Sequence, residues 1–208
     1  MFLTIVTSIA TFMATGFDEI VVLTIIFLST KDKNDIKKVY IGQQIAMIVL
    51  VLISLLAVFG IASIPRAYVG LLGFIPLIQG IRVLLNKEDD SEYEKKDIIK
   101  RMGSFNNLIW SVAIIAIAGG AEELTIYIPF FASLDSTNLI IALITFMVLV
   151  PIWVTICRKF SSIKHIQNIV EKYEKIIVPV VFVLLGAFVL LENGTLTMIL
   201  DLIQRILG

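Results

Sequence analysis

Two pairs of adjacent carboxylates, Asp18-Glu19 and Glu122-Glu123, each lie near the middle of a long apolar block. An ionised acid at the centre of a membrane span costs about 2.5–3.5 kcal/mol or more. No basic residue lies at similar depth in any block, so a salt bridge within the chain does not neutralise them. Protons and metal ions remain, and carboxylate oxygens are ligands for divalent cations. Asp18, Glu19, Glu122 and Glu123 are therefore the candidate metal ligands. The competing reading is a structural pair, one protonated carboxyl bonding another. Intramembrane ionisable residues are functional by default, which favours the first reading.

Neighbouring residues on a regular helix point about 100° apart, so an unbroken helix does not aim both acids of a pair at one ion. Thr15-Gly16 precedes the first pair and Gly119-Gly120 the second. Glycine permits a local break that turns side chains and carbonyls toward one point. Gly16, Gly119 and Gly120 are the expected break positions, and Pro129 loosens the second block further. Discontinuous helices meeting near the midplane are expected, with bare carbonyls as extra ligands. Thr15, Gln43, Gln44 and Thr125 are candidate supporting groups. Thr24 and Gln79 read as helix-packing residues.

The elements that must position these groups are membrane spans. Of the 208 residues, 58% are hydrophobic, above the 45–50% typical of soluble domains. Blocks 1–28, 39–64, 67–85, 108–132, 139–157 and 176–191 are each long enough, or nearly so, to cross about 30 Å of hydrocarbon as a helix. No strand-like alternation suggests a β-barrel. All basic residues except Arg66, Arg82 and Arg205 follow the first, third or fifth block. The positive-inside rule puts those loops in the cytoplasm and both termini outside. The first block lacks a basic leader and reads as a first span, not a signal peptide. Residues 161–175 read as a surface helix on the inner leaflet, and residues 196–207 as an amphipathic tail on the outer face.

Other chemistries find little support. No phosphate-binding Gly-Lys loop and no nucleophile–base grouping is present, so neither an ATP-driven pump nor an enzyme is expected. His165 stands alone in a basic loop. Cys157, the single cysteine, excludes an intramolecular disulfide and reads as an inert interfacial thiol. Trp110 and Trp153 fit interfacial anchoring. No cofactor and no nucleic-acid partner is expected; the partners are a metal-ion substrate, protons as counter-ion and the lipid bilayer. A homodimer is left open.

An internal repeat organises the chain. ATGFDEIVVLTIIFLS, beginning at Ala14, aligns without gaps on AGGAEELTIYIPFFAS, beginning at Ala118. Gly16 matches Gly120, Glu19 matches Glu123, and Asp18 falls opposite Glu122. GIRVLL from Gly80 echoes GAFVLL from Gly186. The expected fold is an all-α membrane protein, residues 1–208 forming a single transmembrane domain. Repeat 1 covers 1–86, a cytoplasmic loop 87–104, and repeat 2 105–208. Three spans per half make the halves inverted, a plan common among secondary transporters.

The stretches ATGFDE, YIGQ from Tyr40, LLGFIPLIQGI from Leu71, GGAEELTIYIPFF with Leu134-Asp135, and LLGAFVLLENGT from Leu184 resemble the bacterial cadmium-resistance transporter family (CadD-like) of the LysE superfamily. The likeness covers nearly the whole chain in order. It implies a six-span efflux protein of the bacterial plasma membrane exporting Cd²⁺ and related divalent ions, with Asp18 and the acids at 122–123 in the site. Family members often carry an acid followed by Asn in the second half, with a cysteine just upstream. Here the pair is Glu122-Glu123, and Ile117-Ala118-Gly119 holds no cysteine. A thiol-free carboxylate site suits Mn²⁺, Mg²⁺ or Ca²⁺ at least as well as Cd²⁺. The expected mechanism is alternating access with proton exchange. Export of a harder ion such as Mn²⁺, or of an amino acid as elsewhere in the superfamily, is the alternative; an amino acid would want a basic residue at depth.

Overall fold

The computed structural model describes residues 1–30, 32–61, 64–85, 107–120, 122–163 and 166–207. The described residues are helical throughout, in the order α1 (Phe2–Thr15), α2 (Phe17–Ser29), α3 (Lys33–Gly60), α4 (Arg66–Val69), a 3₁₀ turn (Gly70–Gly73), α5 (Phe74–Leu85), α6 (Leu108–Gly119), α7 (Leu124–Ser133), α8 (Ser136–Phe160), α9 (Ile166–Glu192) and α10 (Thr195–Leu207). The loop expected at 87–104 and His165 lie outside the described residues.

Among the described residues, α3 and α8 are each long and apolar enough to cross a membrane unaided. Counting each bent helix pair as one span raises the number to five: α1 with α2, α6 with α7, and the end of α9 with the start of α10. The third expected span is a shorter apolar helix, Ala67–Arg82, tightened by the 3₁₀ turn at its start. One expectation changes. Residues from Ile166 onward do not form a separate surface helix, because α9 runs unbroken to Glu192. No glycine or proline interrupts it before Pro179, so nothing in the local sequence ends the helix at the expected boundary. The tail helix α10 does stand apart, bent 65° from α9. Gly194 makes that turn with φ 67°, the left-handed conformation that favours glycine at a helix C-terminus.

Polarity is distributed as a membrane requires. Ile140, Ile144, Val148 and Ile152 form an exposed apolar row on α8, and Leu52, Leu56 and Phe59 do so on α3. Thr4, Ser8, Thr11, Thr15, Gln43 and Glu123 are buried instead. The core is aromatic. Phe12, Tyr127, Phe130, Phe131 and Phe146 pack at ring-centroid distances down to 5.1 Å, mostly edge to face or tilted.

Helix pairing crosses between the two sequence halves. On α3, Gly42 lies against Ile109 and Val112 of α6, and Leu50 lies against Gly120, so these helices run in the same direction. Thr4 of α1 bonds Asn138 of α8 and Gly16 lies against Trp153, so that pair is parallel too. The first helix of each half thus lies beside the second helix of the other. The third elements pair with each other and run antiparallel: Gly73 meets Gly186, and Gly80 meets Pro179. Glycine is required at Gly186, where a Cβ would stand 2.6 Å from the Gly73 carbonyl oxygen and 2.7 Å from the Leu77 backbone nitrogen.

That contact makes a prediction. Gly186→Ala forces α5 and α9 apart and lowers stability by about 1–3 kcal/mol, measured by thermal denaturation in detergent. Gly60→Ala, where a Cβ meets nothing within 4 Å, leaves the melting temperature unchanged or slightly raised.

Candidate metal centre

Both acid pairs sit at helix breaks. The axes of α1 and α2 meet at 61°, and those of α6 and α7 at 74°. In the first half the chain turns at Gly16, φ −82° and ψ 0°, so Asp18 and Glu19 fall in the first turn of α2. In the second half, Glu122 and Glu123 lie in the connection itself, and Glu123 occupies the N-cap position of α7. Either way the acids stand at the start of a half-helix. The N-terminal end of a helix carries partial positive charge, which favours carboxylates there.

A break in an apolar interior frees backbone groups that need partners. At the first break, the indole Nε1 of Trp153 donates to the Gly16 carbonyl at 3.1 Å, and Trp153 is buried. Trp153 is therefore no interfacial anchor, contrary to the sequence expectation; the carbonyl freed at Gly16 holds it at depth. Trp110 does remain exposed. Cys157 is also fully buried and packs in the core, not at an interface.

The supporting polar groups divide by partner. Gln43 Nε2 donates to Glu19 Oε1 at 2.6 Å. Gln44 turns away and donates to Met147 Sδ at 3.3 Å. Thr15 Oγ1 and the Tyr127 hydroxyl share a hydrogen bond of 2.9 Å that links α1 to α7. Tyr127 also hydrogen-bonds Glu123, one turn earlier, and lies within electrostatic reach of Glu19. Thr125 Oγ1 lies 2.6 Å from the Glu122 carbonyl oxygen and 3.0 Å from Gln79 Oε1, its single proton serving one of them at a time. Gln79 is thus tied to the second break, beyond the packing role read for it. Thr24 is buried, with no hydrogen-bond partner for its hydroxyl among the described residues.

Glu19 and Gln43 open onto a cavity of about 50 Å³ between α2, α3 and α6. Val22, Leu23, Ile26, Val112, Ala116 and Gly119 supply most of its remaining wall. The space is enough for a few waters, each needing roughly 10–15 Å³ by the same measure. Glu123 is buried and Glu122 is exposed. The Asp18 side chain lies outside the described residues. Among the described residues no three His, Cys, Asp or Glu side chains stand close enough to hold a metal ion.

A family model described as a cadmium resistance transporter matches residues 12–202. That span holds both breaks and all four acids. The chain belongs to the cadmium resistance transporter family. Searches of curated proteins and of solved structures give no match. Membership makes the protein a membrane transporter with a metal ion as substrate, and agrees with its apolar outer surface.

Sequence reasoning missed two groups in this transporter's centre. Tyr127 follows Glu123 by four residues, one helical turn, which was a readable signal. Trp153 has no comparable signal, because its partner is a backbone carbonyl 137 positions away. Trp153→Phe removes the indole donor to the Gly16 carbonyl while keeping an aromatic ring in place. It lowers stability by about 1–3 kcal/mol, the cost of an unsatisfied buried acceptor, as measured by thermal melting.

Proposed function

We propose that the protein exports a divalent cation of the Cd²⁺ class across the bacterial plasma membrane, in exchange for protons. Asp18, Glu19, Glu122 and Glu123 supply most of the ligands, and the two sequence halves act as inverted three-span repeats. The observation that carries this reading is the meeting of both breaks at Tyr127, which touches Thr15 and Glu123 and feels Glu19. The crossed helix pairing supports the inverted plan, since exchanging the halves maps one parallel pair onto the other.

The cation enters from the side of the basic loops, the cytoplasm, through the cavity that runs along the second half of the first span and along α6 from Val112 to Gly119. Glu19 and the Gln43 amide are the first oxygens it meets. Hinging at Gly16 and at Gly119-Gly120 brings the acids of the second half onto the same ion. The termini lie outside, with the amphipathic α10 on the outer face. Release to that side without protonation would leave several bare carboxylates in a low-dielectric interior, so protons replace the metal as it leaves.

Thermal stabilisation of the purified protein by Cd²⁺, Mn²⁺, Zn²⁺ and Mg²⁺ tests the site. Saturating substrate raises stability by about 2.7–4.1 kcal/mol at a hundred to a thousand times its dissociation constant. Asp18→Asn, Glu19→Gln and Glu123→Gln each remove a ligand charge and weaken binding by about tenfold or more. Binding also falls as pH falls, because protons compete for the same oxygens. Undiminished stabilisation in all three variants would show that the acids do not hold the metal. Metal transport into liposomes without counter-movement of protons would rule out the exchange.

A further inference from the structure

The hydrogen bonds of Tyr127 have a direction, and that direction bears on the hinge at Gly16. A carboxylate only accepts, so the phenol donates to Glu123, four residues earlier. That uses the single proton of the hydroxyl. The Tyr127 oxygen is left as an acceptor, and Thr15 Oγ1 stands 2.9 Å from it. While Tyr127 points at Glu123, the proton in this contact therefore comes from Thr15.

Thr15 has two other places for that proton. The carbonyl oxygens of Thr11 and Phe12 each lie 3.2 Å from its Oγ1, on the turn of α1 just before Gly16. The Phe12 carbonyl also accepts the Gly16 N–H at 2.9 Å, at the break itself. A threonine hydroxyl that bonds back onto such carbonyls bends its helix. Thr15 and Tyr127 are both buried, and their contact is direct, so no water is needed to complete it. The choice Thr15 makes between Tyr127 and its own helix is set at one end by Glu123 and felt at the other by the hinge. The repeat puts Gly119 opposite Thr15 and Leu23 opposite Tyr127. Neither has a hydroxyl, so the same bond does not form at the second break.

We propose that Tyr127 is the positioning residue through which a cation at Glu123 sets the bend at Gly16, and with it the aim of Glu19. With Glu123 free, Tyr127 donates to it and Thr15 donates to Tyr127. A cation on Glu123 takes carboxylate lone pairs and repels the positive end of the phenol O–H. Tyr127 then turns to donate to Thr15, and the Thr15 proton goes to the Thr11 or Phe12 carbonyl. Each hydroxyl rotates about its own C–O bond; no O–H bond breaks and no proton changes owner. The signal runs one way, from the second acid pair to the first break. The link itself rests on the hydrogen bonds; only the cation that sets it rests on the export reading.

Two measurements test it. The first needs no metal. In the purified protein, the melting-temperature shifts of Thr15→Val and Glu123→Gln fail to add in the double variant by about 2–4 °C, the effect of one shared hydrogen-bonded link in a chain of this size. In a Tyr127→Phe chain, which keeps the ring, the same two shifts add. Additive shifts with the phenol present, or an equal deviation with and without it, overturn the relay. The second measurement reads the first break directly. In a Trp110→Phe chain, Trp153 is the one remaining tryptophan, and its indole bonds the Gly16 carbonyl. Saturating Cd²⁺ shifts its emission, and Tyr127→Phe removes at least half of that shift while Cd²⁺ still stabilises the protein. A full emission shift in the Tyr127→Phe chain overturns the relay and leaves export intact. Coupling in the first measurement with no effect of Cd²⁺ on the wild type overturns the cation's part, and the export reading with it.

Discussion

The buried Glu123 and the half-buried Glu19, set in an apolar bundle, are the constraint from which the rest of this structure follows. An unbroken helix gives such groups nothing, since its backbone donors are already used. A helix that stops and restarts offers fresh N–H groups and a favourable dipole where the acids stand. Both acid pairs sit at such restarts, bent 61° and 74° from the preceding segments. Once a helix is broken, the freed carbonyls become the next problem. At Gly16 the Trp153 indole answers it. The cost of one buried charge is met by a break, and the cost of the break by a neighbouring helix.

That dependence explains which features were legible in the sequence. The helices are long apolar runs, and their existence follows from composition. The breaks were readable because glycines precede both acid pairs at matching places in the repeat. Gln43 was readable as a polar residue in an apolar run, and it bonds Glu19. Its neighbour Gln44 gave the same signal and turned out to face Met147, because adjacent residues on a helix point to different neighbours. The join between residues 161–175 and the last span was misread. Charged residues suggested a boundary, but charge alone does not end a helix when no glycine or proline is present. Trp153 was misread for a related reason: tryptophan near the end of an apolar run is an anchor by default, and only the three-dimensional position of the Gly16 carbonyl says otherwise.

The two halves are alike in backbone and unlike in their polar partners. Each break abuts a helix of the other half, through Trp153 in one case and Leu50 in the other. Glu19 has the Gln43 amide of its own half against it and a cavity beside it. Glu123 has a phenol on its own helix and is buried. The two acids therefore stand in different surroundings, one beside a cavity and an amide, the other buried against a phenol.

The aromatic core bears on how far such hinging extends. Phe12, Tyr127, Phe130, Phe131 and Phe146 interlock α1, α7 and α8 on one side of the breaks. Rings of this size pack as a rigid block and shift as one. On the other side, the wall of the cavity is aliphatic and small: Val22, Leu23, Ile26, Val112, Ala116 and Gly119. The packing around Glu19 is therefore aliphatic and carries a void, while the packing around α1 is a block of interlocked rings.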